Sequence, residues 1–176
     1  KKKGQYFSKR GWHLVGCETH IMLPPNEKYQ NVLFQGYLDV VLYHEPTNKF
    51  KIIDIKTSRQ GWSKYQKSDQ NKQLQLTAYK KYFSEQFNIP KENIDIEFFI
   101  VKRKTYESDD YTVSRLQQFI PASGKVKMNK VEKTINKFIE EAFTKTGFKD
   151  VDHQPTKNNN CKWCPFHKTH LCSATF

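Results

Sequence analysis

The stretch VLFQGYLDVVLYHEPTNKFKIIDIK, residues 32–56, decides the fold. Two very apolar runs, Val32 to Tyr43 and Phe50 to Ile55, flank the turn-forming Glu45-Pro46-Thr47-Asn48. The pattern predicts a strand from Asn31 to Tyr43, a hairpin turn, and a returning strand from Lys49 to Lys56. Strand side chains alternate, so Asp54 and Lys56 share one face while Ile53 and Ile55 share the other. Folding the hairpin brings Asp39 close to Asp54. Both acids are embedded in apolar strands, and burying an unpaired carboxylate is costly enough that a partner or a metal is expected.

Working outward, Trp12 to Leu23 reads as an earlier strand closed by Pro24-Pro25-Asn26, which makes the first half an antiparallel meander. After Lys56 comes a polar loop, Thr57 to Ser68, and then Asp69, a helix cap. The helix is expected over Gln70 to Phe87, with Leu76, Tyr79, Phe83 and Phe87 on its apolar stripe. Strands near Asp95 to Lys102 and Tyr111 to Ile120 follow, separated by a polar turn at Tyr106 to Asp110. A last helix is predicted from Val126 to Thr146, with Val131, Ile135, Phe138 and Ala142 as its stripe and Lys130, Lys133 and Lys137 on the wetter side. The order β-β-β-α-β-β-α implies an α/β fold, a mixed sheet packed by helices. It is read as one domain over residues 1–176, with a core at 12–146 and a tail at 147–176.

The chain has 176 residues and a formal net charge of +12, an excess that favours polyanionic partners such as nucleic acid. Membrane surfaces and acidic proteins would respond to the same charge. No apolar run reaches the length of a membrane span and no signal peptide is visible, so an intracellular setting is expected. The chain opens on Lys1-Lys2-Lys3 rather than Met, which reads as a missing N-terminal portion.

Two acids and a lysine converging on one sheet face suit phosphodiester hydrolysis. Asp39 and Asp54 would hold Mg²⁺ or Mn²⁺, with the Ile55 carbonyl as a further ligand and Glu18 of the first strand as a direct or outer one. Lys56 would orient the attacking water or stabilise charge on the phosphate oxygens. Gln75 and Tyr79, four apart on one helix face, could position substrate. Arg59, Trp62, Lys64, Lys67 and Lys72 would contact DNA, the cations at phosphates and Trp62 against a base. The plainer alternatives are a solvated sheet face of ion pairs, and a Trp62 that packs on the core.

Four cysteines are present, three of them (Cys161, Cys164 and Cys172) within the last sixteen residues. This crowding points to a metal or cluster rather than disulfides. Cys17 as fourth ligand would give a [4Fe–4S] cluster, while His167 or His170 would complete a zinc site. Cys17 directly precedes Glu18, so in a regular strand the two would face opposite sides.

Glu18, Gly36-Tyr37-Leu38-Asp39, Asp54-Ile55-Lys56 and Gln75-Leu76-Thr77-Ala78-Tyr79 together resemble the ordered motifs of RecB-like nucleases in the PD-(D/E)XK superfamily. The Cys161-Lys-Trp-Cys164 tail with Cys172 is similar to that of the iron–sulfur subset, which includes AddB-type helicase-nucleases and CRISPR-associated four-cysteine exonucleases. The resemblance implies a restriction-endonuclease-like core and DNA cleavage with Mg²⁺ or Mn²⁺. It makes Asp39 and Asp54 metal ligands, Lys56 the catalytic lysine, and Gln75 with Tyr79 the substrate-positioning pair. It further implies an exonuclease of phage or recombination and repair, with a helicase, recombination or single-strand-binding partner. The competing expectations are a non-catalytic nucleic-acid-binding module with structural zinc, and a subunit active only in a larger complex.

Overall fold

The structure is a computed structural model that describes residues 10–104, 114–148 and 157–172. Three strands open it: β1 (Trp12–Leu23), β2 (Phe34–His44) and β3 (Lys49–Ser58). A single helical turn at Glu45–Thr47 joins β2 to β3, and Asn48 closes it in the left-handed conformation at φ 50°, where Asn is tolerated better than most residues. Then come α1 (Lys64–Ser68), α2 (Gln70–Phe87), β4 (Ile94–Lys102), β5 (Leu116–Phe119) and α3 (Lys125–Ala142), with a two-rung hairpin of β6 (Phe143–Thr144) and β7 (Gly147–Phe148).

Five strands form one sheet in the order β1-β2-β3-β4-β5. All neighbours are antiparallel except β3 and β4, which run parallel. Parallel neighbours need a crossover, and α2 supplies it. The helix starts at the Asp69 cap, whose side chain accepts from the Asn71 N–H at 2.9 Å, and ends at Asn88 in the left-handed conformation. This is the mixed sheet with flanking helices expected from the sequence.

The main core lies between the sheet and the helices. Ile21, Leu38, Val41, Ile52, Ile96, Phe98 and Ile100 from the sheet meet Leu76, Tyr82 and Phe83 of α2 and Val131 of α3. A smaller cluster of Val40, Leu42, Ile53 and Phe99 occupies the other face. Because α2 touches the sheet and α3, it is buried beyond its apolar stripe: Lys80 and Lys81 are also inside, while Phe87 at its end is exposed.

Several expectations need correction. The loop Thr57 to Ser68 contains α1, nucleated by a capping box: the Ser63 hydroxyl accepts from the Gln66 N–H, and the Gln66 side chain accepts from the Ser63 N–H. The last helix stops at Ala142 instead of Thr146, because the chain turns into the β6–β7 hairpin. On α3, Phe138 is exposed and Ile139 buried, so the buried stripe is Met128, Val131 and Ile139, with Ile135 partly buried beside Val131. The expected strand Tyr111 to Ile120 is β5 over Leu116–Phe119, and its first three residues lie outside the described ones.

Tyr82 is fully buried and stacks on Phe34 with ring centroids 3.9 Å apart. No described group hydrogen-bonds its hydroxyl. A buried, unsatisfied hydroxyl costs about 1–3 kcal/mol, so Tyr82→Phe should stabilise the fold by about 1 kcal/mol, measured as a rise in the urea midpoint at unchanged slope. A drop in the midpoint would mean that the hydroxyl has a partner.

Candidate active site

The site forms where regular pairing fails. On β2, Leu38 belongs to the helix-side core but Val40, two residues on, belongs to the opposite cluster. Strict alternation would put both on one face, so the strand changes face at Asp39. On β1, Cys17 pairs with Val40 and Thr19 with Leu38, which leaves Glu18 opposite Asp39 at a rung absent from the ladder. Glu18 adopts a left-handed φ of 51°, rare inside a strand. Gly16 makes this kink feasible, since a Cβ there would stand 2.5 Å from the Thr19 Oγ1. Such irregularities in strands re-aim side chains.

The β2–β3 ladder ends at the same level. Its last rung is Val40 with Ile53, and the next would set Asp39 against Asp54. There the Asp39 Oδ2 accepts a hydrogen bond from the Ile55 N–H at 2.6 Å. The carboxylate thus takes the place of a main-chain acceptor and fixes Asp39 against β3 just past the last rung of the β2–β3 ladder.

Asp54 is 3% exposed. The Lys56 Nζ donates to its Oδ1 at 3.2 Å and stands 2.9 Å from its Oδ2. The second contact lacks hydrogen-bond alignment, so the buried Oδ2 makes an ion pair but no hydrogen bond. Lys56 also donates to the Gln75 Oε1 at 3.3 Å, and the Gln75 amide donates to the Tyr79 hydroxyl at 3.0 Å. A polar chain therefore runs from Asp54 through Lys56 and Gln75 to Tyr79, tying β3 to α2. Gly36 permits it, because a Cβ there would lie 2.7 Å from the Tyr79 ring. This explains physically the glycine that precedes Tyr37-Leu38-Asp39.

Burial raises the Asp54 pKa above the ordinary carboxylate value; the Lys56 hydrogen bond and charge oppose this, and the negative charge of Asp39 adds to it. Two mutually repelling carboxylates, one with a buried oxygen lacking a hydrogen bond, fit a hard divalent cation. Among the described residues, however, no three His, Cys, Asp or Glu side chains group closely enough to hold a metal between them. Glu18, exposed at its kink, does not join Asp39 and Asp54 in a ready three-acid site.

The expected DNA contacts divide. Trp62 is 8% exposed and packs on Phe98 with centroids 4.9 Å apart, and the Gln117 side chain clamps its main chain at 2.7 and 3.2 Å. It is a core residue, unavailable to stack on a base. Lys72 and Lys67 instead sit over the Trp62 and Phe119 rings at 5.9 and 5.8 Å, while Arg59 and Lys64 are exposed. The aromatic that does face solvent is Tyr65 of α1, 87% exposed between Lys64 and Lys67. Sequence reasoning missed it; the Ser63–Gln66 capping box was the signal that α1 would present it.

The cysteines do not converge. Cys17 is exposed on β1, and no metal-holding group of Cys or His occurs among the described residues, the tail's Cys161, Cys164, Cys172, His167 and His170 included. Cys161 and Cys164 share one short turn closed by the Cys164 N–H on the Cys161 carbonyl at 3.0 Å, and the Asn158 N–H points to the Cys161 Sγ at 3.3 Å. No described helix is long and apolar enough to cross a membrane.

Comparison with known proteins adds an independent line. No curated protein matches the chain. Six solved chains do, among them the crystal structure of SSO0001, at 17% identity and a TM-score of 0.47 over 86% of this chain. The chain spans 57% of that structure's length. The PD-(D/E)XK nuclease superfamily model matches residues 3–169, nearly the whole sequence and all of the site just described. The chain therefore belongs to the PD-(D/E)XK nuclease superfamily.

Proposed function

We propose that this protein is a metal-dependent deoxyribonuclease, an exonuclease acting at the ends of DNA, with Asp39, Asp54 and Lys56 at its centre. The observation that carries the reading is the buried Asp54 carboxylate, held by Lys56 and facing the charge of Asp39 where β2 and β3 separate. Asp39, Asp54 and the main-chain carbonyl of Ile55 would hold Mg²⁺ or Mn²⁺, with Glu18 as an outer ligand. Such a cation supplies charge neutralisation at the scissile phosphate and acidifies a water.

The remaining work belongs to the chain. Lys56, held between Asp54 and Gln75, points a fixed ammonium at charge building on the phosphate oxygens. Gln75 and Tyr79 keep that lysine from swinging into solvent and offer polar groups to the neighbouring nucleotide. Arg59, Lys64, Lys67 and Lys72 engage phosphates beside the centre, and exposed Tyr65 takes the base-stacking role that buried Trp62 cannot.

The finer reading places the enzyme inside cells, in phage or recombination and repair processing, beside a helicase or single-strand-binding partner. Cys161, Cys164 and Cys172 would take zinc or a [4Fe–4S] cluster as a staple for the tail, with Cys17 or a tail histidine as fourth ligand.

Degradation of end-labelled linear DNA and of circular DNA with Mg²⁺ or Mn²⁺ tests the core of this. Linear DNA should be consumed and circles spared. Lys56→Met should lower the rate about 10²–10³-fold and Gln75→Ala about 10–100-fold, with Asp54→Asn at least as damaging as Lys56→Met. Unchanged DNA binding without any cleavage would leave a binding module in place of the enzyme.

The raised Asp54 pKa sets the acid limb of the rate. A protonated carboxylate is a poor ligand, so at subsaturating Mg²⁺ activity should fall through a pKa above 3.8. The limb should move to lower pH as Mg²⁺ increases, because cation and proton compete. A limb that ignores Mg²⁺ would exclude Asp54 as ligand.

The same shift fixes a stability sign. Below pH 3.8 both folded and unfolded chains hold the proton and there is no penalty. As pH rises toward the raised value, the unfolded state loses its proton first, and the cost to the fold grows, then stays constant above it. In EDTA at neutral pH, Asp54→Asn should therefore melt higher than the wild type, the opposite of its effect on cleavage; a lower melting point would contradict this.

A further inference from the structure

A second basic feature lies at the other end of the sheet. Lys80, on α2, is 7% exposed; its Nζ donates to the Ser123 Oγ at 3.2 Å, and no ion pair among the described residues includes it. Burial lowers its pKa, and the acids that pull the other way, Asp95 and Glu92, do so incompletely. Asp95 is itself paired with Lys49 at 4.0 Å. A buried ammonium without a counter-ion is costly unless an anion is supplied.

Three elements leave room for one. A cavity of about 450 Å³ opens between α2, the turn before β4 and the start of α3, and Lys80, Lys81, Lys91, Lys125, Ser123 and Gly124 line it. Lys81 and Lys91 both engage Glu85, at 2.7 and 3.9 Å, which leaves Lys80 and Lys125 as the cations outside described ion pairs. Glu92 and Glu132 also line it; with Glu85, which Lys81 and Lys91 share, the four lysines face three acids. Gly124 begins the 18-residue α3 with no side-chain cap on its first amides, and such amides are ready anion donors.

We propose that this cavity binds a phosphate group, taken by the Lys80 ammonium, the Ser123 hydroxyl and the first amides of α3. Its size suits a nucleotide and its rim admits a backbone phosphate of nucleic acid, which share the same chemistry. Lys80 senses Lys49 and Asp95, at the starts of β3 and β4. Asp54 and Lys56 lie five and seven residues further along β3, about 16–23 Å at strand spacing. None of the residues lining the cavity belongs to the chain from Asp54 through Lys56 and Gln75 to Tyr79, so the proposal does not depend on the acids being catalytic.

The test uses the full chain, melted in sodium phosphate, in dAMP and in sodium chloride at matched ionic strength. Phosphate or dAMP at ten times its dissociation constant should raise the melting temperature by about 3 °C beyond chloride. Lys80→Met should abolish that increment. Gly124→Asp guards against simple misfolding: the space beyond its Cα is open and its backbone is extended. An Asp there would cap α3 itself, so this variant should melt higher than wild type yet gain nothing from phosphate. Lys56→Met should keep the full increment, which separates this site from the nuclease centre.

Two further arms identify the source. A dAMP increment with duplex affinity unchanged in Lys80→Met assigns a nucleotide. A loss of about one unit in the salt slope of duplex binding, measured in EDTA, assigns a backbone phosphate. A wild type that responds to phosphate and dAMP no more than to chloride overturns the proposal, as does an increment that survives in both cavity variants.

Discussion

The organising constraint is a carboxylate placed where water cannot solvate it. Asp54 sits in the interior on β3, flanked by Phe98 of β4 and the helix-side core. Its ionised form persists only if positive charge is brought to it. Lys56 does this from two residues along the same strand, and so leaves its own ammonium to be held by Gln75. From that need follow the position of α2, the packing of Tyr79 against β2, and the glycine at position 36 that makes room for it.

A second acid is forced into the same space by an irregularity in two strands at once. Glu18 and Asp39 occupy one rung, and neither continues the regular ladder. The resulting gap between β2 and β3 would leave the Ile55 amide without a strand partner, and Asp39 supplies one. Shape and chemistry are thus coupled: the break that disrupts the sheet is what turns the carboxylate toward its neighbour. Sites of function commonly carry such local violations, tolerated because the surrounding core is consistent. Here the core below the break is regular, with the β3–β4 pairing unbroken from Phe50 to Ser58.

The charge of the chain is distributed with the same logic. Lysines near the candidate centre sit over aromatic rings that belong to the core, so Trp62 contributes by supporting cations rather than by meeting a base. At the opposite end, α2 and α3 enclose further lysines around a cavity. A net charge of +12 is therefore concentrated in part on two structured features, where it can attract and orient polyanions.

Much of this was legible in the sequence because it depends on local chemistry. Alternation in Phe50 to Ile55 and the turn residues after His44 specified the hairpin, and the Asp69 cap with the stripe of α2 specified the helix at its observed bounds. The pairing of Asp54 with Lys56 follows from strand geometry alone. What only the tertiary structure decided are matters of contact between distant segments. Alternation has no means of announcing that β1 and β2 break at Glu18 and Asp39, since the break arises between strands rather than within one. Nor does a tryptophan among lysines reveal whether Phe98 and Gln117 will cover it. The cysteine spacing suggested a closed site, but spacing fixes reach along the chain and not the meeting of Cys17 with a tail about 150 residues away. Local sequence sets which groups are available, and long-range packing sets which of them are desolvated together, because burial is a property of neighbours and not of the residue itself.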